Sequence, residues 1–253
     1  MIIVTDPLFY LLAIPAILAL CLGKGGFAGV GMISTPLLAL TMPPLQAAAI
    51  LLPILLIQDA ISCFAYRREW SAWNLKVLLP GAVVGVGAAW LFAAYVPNAF
   101  VEVAVGITGV CFALYTWFGK VPGHPRRPSV PAGMLWGALA GFTSTIIQVG
   151  APPYQVHILP QRLDKLTYVG TFTLLFAASN LMKIPAYGAL GQLTGENLAI
   201  GAVLLPAAII ANYGGIWLVR RTPTELFYRV AYVLMFLISV ELIRSALVEM
   251  SRT

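Results

Sequence analysis

The sequence predicts an all-α membrane protein: a polytopic helical bundle of two inverted-topology repeats, each a broken or re-entrant helix pair plus three spanning helices. Three observations predict it. The composition is 60% hydrophobic and 9% charged, where an ordinary soluble domain is about 25% charged. Apolar runs of spanning length, separated by short polar joints, occupy almost the whole chain. One run is interrupted by a glycine-rich stretch carrying a lysine, and a weaker version of that interruption returns in the second half.

These features also exclude classes. With 253 residues used in this way, no soluble catalytic domain is expected. The reading is one transmembrane domain over 1–253, with a first repeat at 1–119, a linker at 120–130 and a second repeat at 131–253. Met1 to Pro7 carries Asp6 and no base, unlike the positive start of a cleaved signal peptide, so the first segment is expected to stay. The net charge of +6 is spread over short joints, as membrane topology requires, and a nucleic-acid partner is rejected. Cys21, Cys63 and Cys111 fall inside apolar runs without metal-ligand spacing and are expected as buried thiols. No cofactor or metal is expected; the partners are a small anion and the bilayer.

The first element runs from Leu8 to Leu22. At 1.5 Å per residue it spans roughly 22 Å, short of a hydrocarbon core of about 30 Å. It stops at Gly23-Lys24-Gly25-Gly26-Phe27-Ala28-Gly29-Val30-Gly31, which leads on to Pro36. Backbone freed there is tolerated only against protein or a wet cavity. Full crossings follow at Leu45 to Tyr66, Trp73 to Tyr95 and Ala99 to Gly119. Pro122, Gly123, Pro125 and Pro128 mark the linker. The second half opens with a broken pair, Pro131 to Ile147 and Ala151 to Leu159, and continues with Leu166 to Tyr187, Leu198 to Val219 and Leu226 to Val248. Residue identities follow the same order: Asp59-x-x-Ser62-x-x-x-Tyr66 aligns on Asn180-x-x-Lys183-x-x-x-Tyr187, Pro80 on Pro206, and Pro97 on Pro223.

Lys and Arg accumulate in cytoplasmic joints. Arg67, Arg68 and Lys76, then Lys120, Arg126 and Arg127, then Arg162 and Lys165, then Arg220, Arg221 and Arg229 define four such joints. Val96-Pro97-Asn98 and Gly188 to Glu196 are then outside, as are both termini. Each broken pair must enter and leave on one side, which inverts the second repeat relative to the first. Repeats of this kind place a binding site where the breaks meet.

The glycine-rich break ending in proline, its echo at Gly141-Phe142-Thr143-Ser144-Thr145 through Gln148 and Gly150 to Pro152-Pro153, and Asn180-x-x-Lys183 resemble the TauE/SafE family, also called the sulfite/sulfonate exporter family. The resemblance covers about Leu8 to Val248. It implies a multi-pass carrier in the cytoplasmic (inner) membrane for sulfite, sulfonates or related anions. Lys24 splits a run that in the family is richer in consecutive glycines.

Candidate residues follow from charge inside apolar segments. Lys24 lies at the end of a short helix, where an unpaired charge costs at least about 2.5 kcal/mol. With Gly25, Gly26, Ser34 and Thr35 it forms one side of an anion site, helped by N–H groups of the helices resuming near Val30 and Gly150. Ser144, Gln148, Asn180 and Lys183 form the other; Asn180, Lys183 and Tyr187 share a helical face. For Lys24 and Lys183 the plain alternative is a lysine reaching for the headgroups, and for Ser34 and Thr35 it is helix packing. Asp59 is read either as a proton-coupling group or as the fixed partner of Lys24. His157 is the second coupling candidate, against a plain hydrogen-bonding histidine.

The function read from this pattern is a secondary transporter moving a small sulfur-containing or organic anion by alternating access, with proton coupling open. The alternatives are an intramembrane serine hydrolase using Ser144 with His157, or a passive anion channel.

Overall fold

The computed structural model describes residues 7–25, 31, 34, 38, 41–42, 44–92, 95, 97–118, 128–146, 149–189 and 194–251. Among these the regular structure is helical: α1 Pro7–Gly25, α2 Pro44–Ala65, α3 Ala72–Phe92, α4 Asn98–Phe118, α5 Val130–Ile146, α6 Ala151–Ile158, α7 Lys165–Ala189, α8 Gly195–Arg221 and α9 Thr224–Met250. A 3-10 turn, Leu159–Gln161, follows α6. By length and composition α3, α8 and α9 can each cross a membrane. Most of the linker, 120–127, lies outside the described residues.

The helix ends have local causes. Thr194 caps α8 by accepting from the Asn197 N–H at 3.2 Å, Ser71 caps α3 by accepting from Asn74 N–H at 3.3 Å, and Asp164 accepts from Leu166 N–H at 2.9 Å before α7. Thr222 ends α8 with its hydroxyl on the Leu218 carbonyl, and Pro223 then opens α9. Pro15, Pro53, Pro80, Pro185 and Pro206 lie inside helices, a placement that membrane helices tolerate.

Packing fixes the relative directions. Val77 meets Gly133 and Ala82 meets Gly141, so α3 and α5 run parallel. Gln46 bonds Asn197 and Arg220 bonds the Ala65 carbonyl, so α2 and α8 run parallel. Asp59 meets Asn180 while Tyr66 meets Gly170, so α2 and α7 are antiparallel. Gly106 meets Ile243 and Phe112 meets Tyr232, so α4 and α9 are antiparallel. α1 packs on α8, and α3 on α7.

α6 is a return stroke. Val149 N–H bonds the Thr143 carbonyl at 3.3 Å, Gly150 lies against the Ala140 carbonyl, and the His157 ring lies against Gly133 in the first turn of α5. The chain therefore enters and leaves at one end. In the first half Gly31 lies beside the Leu20 backbone in the same manner, so the chain has also turned back along α1; Leu38 and Met42 then join Phe9, Ala13 and Ile17 in one apolar cluster.

Three basic joints gather at one end of the bundle. Arg220 bonds both carboxylate oxygens of Glu69 at 3.2 Å, the Lys165 ammonium donates to the carbonyls of Val219, Arg220 and Thr222, and Ser71 N–H donates to the Thr171 hydroxyl. Outward positions are apolar, including Phe64, Leu91, Ile210 and Phe118, while most of the polar side chains within spans point inward. Cys21 is buried and Cys63 half-buried. Cys111 departs from the sequence expectation: its helix face on α4 points outward.

Candidate functional site

The ends of the two hairpins meet through a buried polar chain. Lys24, in the last turn of α1, places its Nζ 2.6 Å from Asp59 Oδ1 on α2. The other carboxylate oxygen, Oδ2, accepts from the Asn180 amide on α7 at 2.7 Å. Asn180 Oδ1 accepts from Lys183 Nζ at 3.2 Å, and Lys183 also donates to the Ser144 carbonyl at 2.7 Å and hydroxyl at 2.9 Å. Because the Asn180 amide faces a carboxylate on one side and an ammonium on the other, its orientation is set by its partners. All five side chains are buried, Lys183 to 1% exposure.

The broken helices explain why lysines belong here. Ser144 is in the last four residues of α5, so its carbonyl has no intrahelical donor and carries the negative end of the helix dipole. Lys183 fills that vacancy from α7. Lys24 stands in the last turn of α1 itself, again at a dipole end that favours a cation. Each hairpin thus stops inside the bundle at a buried ammonium.

A second polar layer pins α2 beside Asp59. Gln58 donates to the Cys21 sulfur at 2.6 Å; Asn212, in the middle of α8, pairs with the Ser62 hydroxyl and donates to the Gln58 carbonyl at 3.4 Å. Asn212 is a residue the sequence reading passed over, although an asparagine within the apolar run Leu198 to Val219 was the available signal.

Of the remaining candidates, Gly25 is the last residue of α1. Ser34 is buried, with its hydroxyl on the Gly31 carbonyl. Gly26, Thr35 and Gln148 lie outside the described residues, as does Val30. The start of α6 offers less to an anion than expected, because Pro152 and Pro153 remove two of its first backbone donors. His157 sits far from the chain: Gly133, against which its ring lies, is eleven positions before Ser144, about 16 Å along α5. The alternative of a Ser144–His157 dyad therefore fails on geometry, since the Ser144 hydroxyl is bonded instead to Lys183.

A bundle with an apolar exterior, a buried charged interior and helices that stop inside it is the construction of a multi-pass membrane transport protein. The family model for sulfite exporter TauE/SafE matches residues 11–242, and the chain belongs to that family of membrane transporters. No curated protein and no solved structure matches the chain.

Proposed function

We propose that the protein is a secondary carrier for a small sulfur oxyanion or related organic anion in the cytoplasmic membrane, and that Lys24, Asp59, Asn180, Lys183 and Ser144 are its substrate site. The observation that carries this reading is the buried chain itself, which joins the two hairpin ends through the ion pair Lys24–Asp59 and the triad Asn180–Lys183–Ser144. Buried charge of this sort is costly to keep and marks substrate or ion pathways in membrane proteins.

The inverted-repeat plan underlies the proposal. It is supported by the pairing of helices: α3 on α5 answers α8 on α1, α3 on α7 answers α8 on α2, and α2 meets α7 while α4 meets α9. The antiparallel course of α2 and α7 and of α4 and α9 supports opposite orientations of the two halves. The gathered basic joints are assigned to the cytoplasm, with both termini outside. Alternating access would then rock one set of helices against the other around the charged chain. Asp59 is the proposed coupling group; His157, distant from the chain, is proposed at most as a proton relay toward the basic end.

Flux into proteoliposomes tests this. Sulfite and small sulfonates should be carried, carboxylates more slowly, and accumulation should follow an imposed pH gradient. Flux of sulfite indifferent to the gradient would leave a passive channel, and no flux of any of these anions would remove the substrate class.

A further inference from the structure

Both oxygens of Asp59 are engaged from opposite halves of the molecule, one by the Lys24 ammonium at 2.6 Å and the other by the Asn180 amide at 2.7 Å. A carboxylate so held is a small oxyanion in a two-donor cradle, differing from a substrate only in being tethered to α2. We propose that Asp59 is the internal occupant of the anion site: the transported anion binds Lys24 Nζ and Asn180 Nδ2 by displacing the Asp59 carboxylate. This rests on the reading of the protein as an anion carrier and narrows its substrate. The site takes anions that present two oxygens on one centre, as a sulfonate, hydrogen sulfite or a carboxylate does and a halide does not.

Three observations favour displacement over a permanent ion pair. One donor is positioned independently of Asp59: Asn180 is held by its bond to Lys183. The backbone of α2 is pinned beside Asp59 by Asn212 on the Gln58 carbonyl and by Gln58 on Cys21, so the carboxylate can leave by side-chain rotation without moving the helix. The buried lysines and acids of the described residues are Lys24, Lys183 and Asp59, and one anion of single charge balances them, with Lys183 near enough through Asn180 to receive the displaced carboxylate.

The test uses the full-length protein in detergent with methanesulfonate, acetate and chloride at equal ionic strength. Asp59→Asn removes the competing charge and keeps the shape, so calorimetry should find methanesulfonate bound about tenfold tighter than by the parent, or more. Asp59→Ala leaves an empty cradle. Its thermal unfolding midpoint should rise with methanesulfonate or acetate concentration, beyond the rise in chloride, as a ligand binding only the folded state requires. Should Asp59→Ala be recoverable only when extracted in one of these oxyanions, that dependence supports the proposal equally. The proposal is overturned if Asp59→Asn binds methanesulfonate no tighter than the parent, or if chloride stabilises Asp59→Ala as well as acetate does. If Lys24→Gln weakens methanesulfonate binding while Asp59→Asn fails to tighten it, the carrier reading stands and the displacement alone falls. If methanesulfonate and acetate affect neither parent nor variants, both fall together.

Discussion

The two hairpin ends each lie at a buried lysine and surround it differently. In the first half the lysine is on the hairpin and its partner on the neighbouring span, Lys24 facing Asp59. In the second half the lysine is on the span and the hairpin supplies neutral oxygens, Lys183 facing Ser144. Asp59 and Asn180, which occupy corresponding positions in the two sequence motifs, bond each other across the centre. The charge distribution is therefore asymmetric: one ammonium is matched by a carboxylate, and the other lies on neutral acceptors. An anion that enters such a site meets one cation already occupied by an acid and one held by dipoles, which gives the two lysines different weights in stability and similar weights in binding.

The largest effect should come from breaking the matched side. Lys24→Met strands a buried carboxylate and should cost about 3 to 5 kcal/mol of stability, measured by thermal or denaturant unfolding in detergent. Lys183→Met loses bonds to neutral acceptors but also lifts the burden of a buried charge, and should cost no more than about 1.5 kcal/mol. Equal losses would erase the distinction between the halves. Replacing both members of the matched pair, Lys24→Met with Asp59→Leu, should recover at least about 2 kcal/mol relative to the sum of the single changes; additivity would mean that the 2.6 Å contact carries no coupling.

The corresponding helix interfaces also differ. α3 and α5 approach through glycines, and a Cβ at Gly85 would stand 2.0 Å from the Ala138 carbonyl oxygen, one at Gly141 2.5 Å from that of Ala82. α1 and α8 meet instead through Ala13, Ala16, Ile17, Leu204 and Ala208. Gly85→Ala or Gly141→Ala should therefore destabilise by about 1 to 3 kcal/mol. Gly87→Ala, on the open face of α3 with nothing near its Cβ position, should be neutral or stabilising by up to about 1 kcal/mol. The amide pairs at the two ends should also differ. Asn74, buried and doubly bonded to Gln161 at 2.9 and 3.1 Å, should cost about 1 to 3 kcal/mol as Asn74→Ala because Gln161 is left buried without it. Asn197, bonded to the half-buried Gln46 at 3.1 Å, should cost about 0.5 to 1 kcal/mol.

Much of the scaffold was legible because length and punctuation decide it. The expected broken pair, Pro131 to Ile147 and Ala151 to Leu159, is found as Val130–Ile146 and Ala151–Ile158, since an apolar run too short to span and a Gly-Pro-rich stop are both visible in the sequence. The glycines of α5 were legible in principle: Gly133, Gly137 and Gly141 recur every fourth residue on one face, a signature of close packing between membrane helices. The charges were legible as residues and not as partners. The sequence left Asp59 between a coupling role and a pair with Lys24, and left Lys183 between the site and the headgroups. Those choices depend on which helices touch, α1 with α2 and α7 with the end of α5, which no local pattern encodes. Asn212 was missed for the same reason, because its role exists only where α8 crosses Gln58 and Ser62.

The central claim is that binding one anion needs both lysines, Lys24 as its donor and Lys183 as the receiver of the displaced Asp59 carboxylate. It is tested most directly by calorimetry of methanesulfonate binding to the folded parent, to Lys24→Gln and to Lys183→Gln, with unfolding midpoints measured alongside. Loss of one charge-assisted bond is worth roughly 1.5 to 3 kcal/mol, so each variant should bind at least about tenfold more weakly than the parent. Two folded variants that bind methanesulfonate as tightly as the parent would contradict the account.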